Sequence, residues 1–308
     1  MKIFMTGTSG FIGSHLKVVL EKNHELHHMV SDLLDFDAVT NEVIDYSPDV
    51  IVHLAARTEV EKSFYEQITF SQINYVGSVN LIEAASKVKN LKNFVFASTM
   101  EVFGWQPISD DIKNGKILDV VPTFDENTIP HPNAPYAVAK LAVEKYLEYA
   151  HRSLGLPFSA LRQTNSYGRK DNDFFVVEQV ISQMLKNPNE VNLGYGSPYR
   201  NFLYVSDLLN VWETVITNPD KVNNGQIFTI GPNNAIRISE LVKLIADKLN
   251  WAGEVNWDQK PKRPGEIYLL NSNTNLINKL TGWEPKVSLS DGLDATIDIW
   301  KNIIKLDK

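Results

Sequence analysis

Apolar and β-prone residues of the first half gather into short runs, and between the runs the apolar positions recur at helical spacing. The runs predict strands at Lys2–Met5, Glu25–Val30, Val50–His53, Phe94–Ala97 and Phe158–Arg162. The periodic stretches predict helices near Ile12–Lys22, Phe36–Tyr46, Ser71–Val88 and Tyr136–Leu154. Strand and helix alternate, so the strands should form one parallel sheet with helices on both faces. The segment from Gly104 to Asn133 is rich in proline and polar residues without a sustained period, and reads as a long loop. Past residue 165 the elements shorten: helices near Val176–Lys186, Val205–Thr217, Ser239–Leu249 and Asp291–Ile304, and a strand at Gln226–Ile230. No repeat, low-complexity tract or flexible linker separates the halves, so the second should dock against the first.

The junction of the first strand and helix carries Thr6-Gly7-Thr8-Ser9-Gly10-Phe11-Ile12-Gly13. Glycine at 7, 10 and 13 removes side chains where a backbone must turn tightly, approach a pyrophosphate and let a helix lie against a strand. The helix N-terminus then offers free N–H groups to phosphate oxygens. This context predicts dinucleotide binding. Asp32, just past the second strand, could accept hydrogen bonds from the adenine or its ribose, although Asp32 and Asp35 could equally cap the next helix. The short link from Gly13 to Val30 leaves no evident ribose-binding acid at the strand end, which weakens a choice between NAD and NADP; NAD is the expectation, with NADP left open.

Composition narrows the alternatives. The 308 residues are 43% hydrophobic, enough for a large core, and include no cysteine, which removes disulfide and thiolate chemistry. His27 and His28 are strand neighbours pointing to opposite faces, and no metal site is expected. A net charge of −7 argues against a nucleic-acid surface. No apolar stretch is long enough to span a bilayer, and a cytoplasmic location is expected.

Two further groups bear on chemistry. Tyr136 and Lys140 lie four residues apart on one helical face, where an ammonium could lower the Tyr pKa so that the phenol exchanges a proton with a substrate hydroxyl. Thr99 and Glu101 follow the strand Phe94–Ala97, at the carboxyl end of a parallel strand where cofactors bind; Thr99 could orient the reacting oxygen and Glu101 act as a base.

Together these residues resemble the extended short-chain dehydrogenase/reductase family, in its NAD-dependent nucleotide-sugar epimerase/dehydratase branch. The marks span the chain: Thr6–Gly13, Asp32-Leu33, His53–Ala56, Asn74 with Gly77, Ser98–Gly104, Tyr136–Lys140, Arg162 through Gly168, Gly196–Asp207 and Arg263–Glu266. The resemblance implies a Rossmann-type fold: a dinucleotide-binding domain over 1–165, and a smaller mixed α/β substrate-binding domain over 166–308 with about 203–231 returning to the first. It makes Thr99, Tyr136 and Lys140 the catalytic trio. Gly7, Gly10, Phe11, Ile12, Gly13, Asp32, Leu33, Leu54, Ala55, Ala56 and Asn74 join Tyr136 and Lys140 around the coenzyme. Asn165, Arg200 and Arg263 fall where relatives hold a nucleoside-diphosphate sugar, beside Thr99 and Glu101. A diphosphate needs such local guanidinium donors in an acidic protein.

The implied reaction is hydride exchange at a sugar carbon, expected at C4, through a 4-keto intermediate, with Glu101 serving elimination or inversion. Relatives that eliminate water commonly carry Asp or Ser where this chain has Met100, which cannot donate a proton. An NADPH-dependent 4-ketosugar reductase is the alternative, and a non-catalytic dinucleotide sensor a more remote one. The family also implies a homodimer through helices 71–88 and 136–154, whose Val79, Leu81, Ile82, Leu141, Val143 and Leu147 exceed one apolar face.

Overall fold

The computed structural model describes residues 1–170, 172–260 and 263–306. Six strands form one parallel sheet: β1 (Lys2–Thr6), β2 (Glu25–His28), β3 (Val50–His53), β4 (Asn93–Thr99), β5 (Phe158–Gln163) and β6 (Asn224–Ile230). Their order is β6-β5-β4-β3-β1-β2, with Met5 beside Val52 and Val52 beside Val95. The chain reverses its direction of growth between β1 and β3. In open sheets of this kind, ligands bind outside the carboxyl ends of the strands at that switch point.

Alternation along each strand explains the two faces. Ile3, Met5, Val50, Val52 and Val95 point to one side, packing under α1 (Phe11–Leu20) and a later helix that contributes Trp212. Phe4, Ile51, Phe94 and Phe96 point to the other, under α2 (Phe36–Tyr46), α3 (Gly77–Ala85) and α4 (Pro135–Leu154). The later helix, α6 (Val205–Thr217), and β6 come from the second half of the chain, yet both complete the first layer. A smaller core gathers α5 (Val176–Lys186), α7 (Ile238–Leu249) and α8 (Leu289–Leu306) around Val180, Ile245 and Trp300.

Three local expectations change. The helix preceding β4 starts at Gln67, four residues before the expected Ser71, and widens into a π turn over Gln72–Val76 before α3. The Gly104–Asn133 loop contains a short helix, Ile108–Lys113, and a bridge from Phe124 to Ser272. Gly104 itself has φ +48°, and a Cβ there would lie 1.8 Å from the His131 carbonyl, so the loop closes on a position only glycine fills. Finally, Leu81, Ile82, Val143 and Leu147 are core residues under the sheet, not a spare apolar face.

Candidate active site

The turn between β1 and α1 forms the floor of a cleft of about 1280 Å³. Gly7 has φ +69°, and a Cβ on it would meet the Ala55 amide at 2.6 Å; a Cβ on Gly13 would meet the Gly7 carbonyl at 2.2 Å. Gly10 is exposed, a Cβ on it would meet the Gly7 carbonyl at an ordinary 3.4 Å, and α1 begins after it with no side-chain cap. Uncapped amides beside an open, side-chain-free surface suit a pyrophosphate. Phe11 lies under the Arg169 guanidinium, 4.2 Å from ring to carbon, and Ile12 packs half-buried against the core.

Opposite this turn stand Leu54, Ala55 and Ala56, held by a buried relay. Thr6 Oγ1 accepts from the Leu54 and Ala55 amides (3.2 and 3.0 Å) and donates to His53 Nδ1 (2.8 Å). His53 Nε2 donates to Ser78 Oγ (2.8 Å), whose own hydrogen goes to the Asn74 carbonyl (2.6 Å). These partners require a neutral imidazole, and burial, helped by the Lys140 charge, pushes its pKa down to about 3. Asn74 clamps the Arg57 backbone at both ends (2.8 and 2.9 Å), so its side chain supports the cleft wall rather than facing the cleft. Leu33 likewise points into the core, against Gly77. Asp32 is exposed and accepts from the Leu34 amide at 2.9 Å, whereas Asp35 caps α2 through the Ala38 amide at 3.0 Å.

β4 extends through Thr99, two residues past its expected end, which carries Thr99 into the cleft. There Thr99 Oγ1 accepts from the Glu101 amide (3.1 Å) and hydrogen-bonds to Tyr136 from the first turn of α4. Lys140, one turn on, donates to the Ala97 carbonyl at 2.8 Å and lies 6.0 Å from the Tyr136 ring centre. The cleft thus brings together Thr99, Glu101, Tyr136 and Lys140. Their electrostatics depart from the expectation that Lys140 would lower the Tyr136 pKa. Burial and the Glu101 charge raise the Tyr136 phenol, against the opposing Thr99 hydrogen bond, while burial pushes Lys140 down to about 7 despite Glu144. Desolvation is the largest influence on both groups.

Sequence reasoning missed what lies beneath Lys140. Glu144 is fully buried and takes hydrogen bonds from Ser98 and from Arg162 (Nη2 to Oε2, 2.8 Å). The signal was a carboxylate four residues past Lys140 on an apolar helix face, which only a buried cation could justify. Arg169 was also missed: it lines the cleft with its guanidinium between the rings of Phe11 and Phe175.

Of the remaining expected residues, Asn165 stands in the cleft wall, whereas Arg200 and Arg263 are not among its lining residues. Asn165 lines the cleft from the short strand Asn165–Tyr167. Burial raises the Glu101 carboxyl, opposed by the charges of Arg200 and Arg263 and reinforced by Glu266. Arg200 is buried, 3.6 Å from Glu266, and donates to the Tyr199 carbonyl at 2.9 Å and to that of Ile267. It is therefore already engaged, whereas Arg263 is exposed. Of the loop carrying Arg263, Pro261 and Lys262 lie outside the described residues. Among the described residues, no group of His and carboxylates is placed to hold a metal, and no helix is long and apolar enough to cross a membrane.

A parallel sheet with a glycine-lined switch point, and a Tyr–Lys pair facing it, define a nicotinamide-dependent enzyme. Residues 3–231 match the model of the NAD dependent epimerase/dehydratase family, and the chain belongs to that family. Over 99% of its length it is 26% identical to the GDP-6-deoxy-D-mannose reductase of Pseudomonas aeruginosa, covering 98% of that protein. It is 28% identical to dTDP-glucose 4,6-dehydratase 1 of Escherichia coli, covering 97% of this chain and 92% of the relative. The solved UDP-glucose 4-epimerase of Thermotoga maritima, with UDP-glucose, superimposes with a TM-score of 0.84 at 28% identity, over 99% of this chain and 100% of that one. A reductase, a dehydratase and an epimerase are thus about equally similar to it.

Proposed function

We propose that the protein binds NAD and a nucleoside-diphosphate sugar, and removes and returns hydride at the sugar C4 with no net change in the coenzyme. The observation that carries this reading is the convergence of Thr99, Tyr136 and Lys140 on the cleft beside Gly7–Gly13. Bound NAD supplies the hydride acceptor and one positive charge. Gly7, Gly10 and the first amides of α1 hold its pyrophosphate, with Leu54–Ala56 opposite. Thr99 orients the sugar hydroxyl, Tyr136 takes its proton, and Lys140 stands behind the phenol as the group whose charge responds to the site. Glu101, whose raised pKa makes its carboxylate a stronger base, takes the proton from the carbon beside the keto group and returns it there. Asn165 and Arg263 receive the substrate's diphosphate, and Arg200 offsets the charges of Glu101 and Glu266.

Met100 is 1% exposed and apolar, so Glu101 has no acidic neighbour in the turn to assist departure of water. This favours inversion over dehydration within the branch. The protein acts as a homodimer, through faces of the two helical segments that expose Ile68, Val76, Val138 and Tyr149; light scattering giving a monomer at micromolar concentration would remove that part.

The experiment offers a panel of nucleoside-diphosphate sugars deuterated at C4, with NAD⁺ far below stoichiometric amounts. Turnover with the deuterium kept in the product is expected. Turnover only with stoichiometric NADPH would replace this reading by the reductase, to which the Pseudomonas relative lends weight.

A further inference from the structure

Past β2 the chain runs beside the dinucleotide turn, because the Met29 amide donates to the Met5 carbonyl at 2.9 Å. Residues 30 and 31 therefore sit one strand over from Thr6 and Gly7, on the side of the switch point where the adenosine half of a dinucleotide docks. Two consecutive amides stand there, and both are filled from within the chain. The Val30 amide donates to Glu42 Oε1 (2.8 Å) and the Ser31 amide to Oε2 (2.9 Å). His27 Nε2 reaches Oε1 at 2.7 Å, and the Glu42 side chain is only 11% exposed. Burial works against this carboxylate's charge, but the bonds from Ser31, His27 and the two amides outweigh it and hold the pKa below the ordinary range.

A 2′-phosphate is held by backbone amides or by guanidinium and ammonium groups. Here the paired amides are occupied by a carboxylate, and the sequence from Asn23 to Ala56 contains no Lys or Arg. The other charged neighbours are mostly acidic: Asp32 is exposed, Asp35 caps α2, and His28 faces Glu21 at 3.3 Å. Lys87 rests over the Phe36 ring, 4.6 Å from its centre.

We propose that Glu42, reaching from α2 into the turn after β2, makes this enzyme select NAD over NADP: it fills the amides a 2′-phosphate would use and repels its charge. The ribose 2′-hydroxyl carries no such penalty. Glu42 thus does from the following helix what a strand-end acid does elsewhere. The selectivity rests on the dinucleotide reading given under the proposed function.

Calorimetric titration of the coenzyme-free protein with NAD⁺ and NADP⁺ tests it. The native chain should bind NAD⁺ about tenfold or more tightly than NADP⁺, the order expected for a doubly charged phosphate beside a carboxylate within screening range. Glu42→Gln should narrow that ratio several-fold. Ser31→Arg, which leaves Glu42 in place and adds a cation, should narrow it as well and guards against misfolding of the first variant. Equal affinities in the native chain, or a ratio unmoved in both folded variants, overturns the selectivity alone. Binding of neither coenzyme overturns the dinucleotide reading and the selectivity with it.

Discussion

Acid should loosen this fold through His53. Its imidazole lies among the rings of Phe94 and Phe96, at 6.0 and 5.7 Å, and both ring nitrogens are hydrogen-bonded. A second proton would put a donor on Nδ1 against the hydroxyl hydrogen of Thr6, in a site with no water-like solvation. The folded pKa is accordingly about 3, against about 6.5 for an unfolded histidine. Between those values the unfolded chain binds a proton that the folded chain refuses, so stability rises with pH across the window. The contribution is fully present above about pH 6.5. It is lost on acidification at about 1.4 kcal/mol per pH unit, about 5 kcal/mol in all.

Glu101, Glu126 and Glu178 have raised pKa values and act with the opposite sign, since the folded protein then holds the proton more readily. The His53→Asn variant isolates the histidine from them. Urea unfolding of both proteins at half-unit steps from pH 7 to 4.5 is the assay. The variant should be less stable at pH 7, having lost the Ser78 contact, yet its stability should fall less steeply by about 1.4 kcal/mol per pH unit. Parallel curves would mean that His53 titrates as an ordinary histidine and would refute the argument.

Tyr136→Phe should lower kcat by about 10² to 10⁴ while leaving the NAD dissociation constant near its native value, as stopped-flow and titration can show. With Lys140 titrating at about 7 in the coenzyme-free protein, its cation is present below that pH and lost above it; kcat/KM should fall on the alkaline side, and Lys140→Arg should abolish that limb. Gly13→Ala forces a Cβ to 2.2 Å from a backbone oxygen and should destabilise by roughly 2 kcal/mol or more with loss of NAD binding. Gly155→Ala, at φ +72° with no atom near its Cβ, should cost about 1 kcal/mol and spare binding; thermal melts with and without NAD separate the two.

Much of the architecture was legible because each sheet strand announces itself locally. The alternation Ile3, Phe4, Met5 and Val50, Ile51, Val52 names both faces of a doubly covered sheet, and three glycines at a strand-to-helix junction have few other uses. What stayed hidden depends on distant partners. That Glu144 would find Arg162 needs α4 to be laid across β5, and that Arg200 would be consumed by Glu266 and two carbonyls needs a loop folded back from residues 266–267. The proton affinity of Tyr136 is hidden for the same reason: helical spacing brings Lys140 near, but burial and Glu101 decide the sign. Residues 67–70 do not read as part of their helix because Gln67 and Thr69 dilute the apolar period.

The placement of β6 also bears on biosynthesis. β5 ends at Gln163, but the strand that covers its open side ends at Ile230, 67 residues later (230 − 163). At roughly 5–20 residues per second, translation leaves that hydrogen-bonding edge bare for about 3 to 13 seconds on every nascent chain. A ribosome stalled within this interval would display a nearly finished parallel sheet with a sticky flank, a natural client for a chaperone and a seed for aggregation.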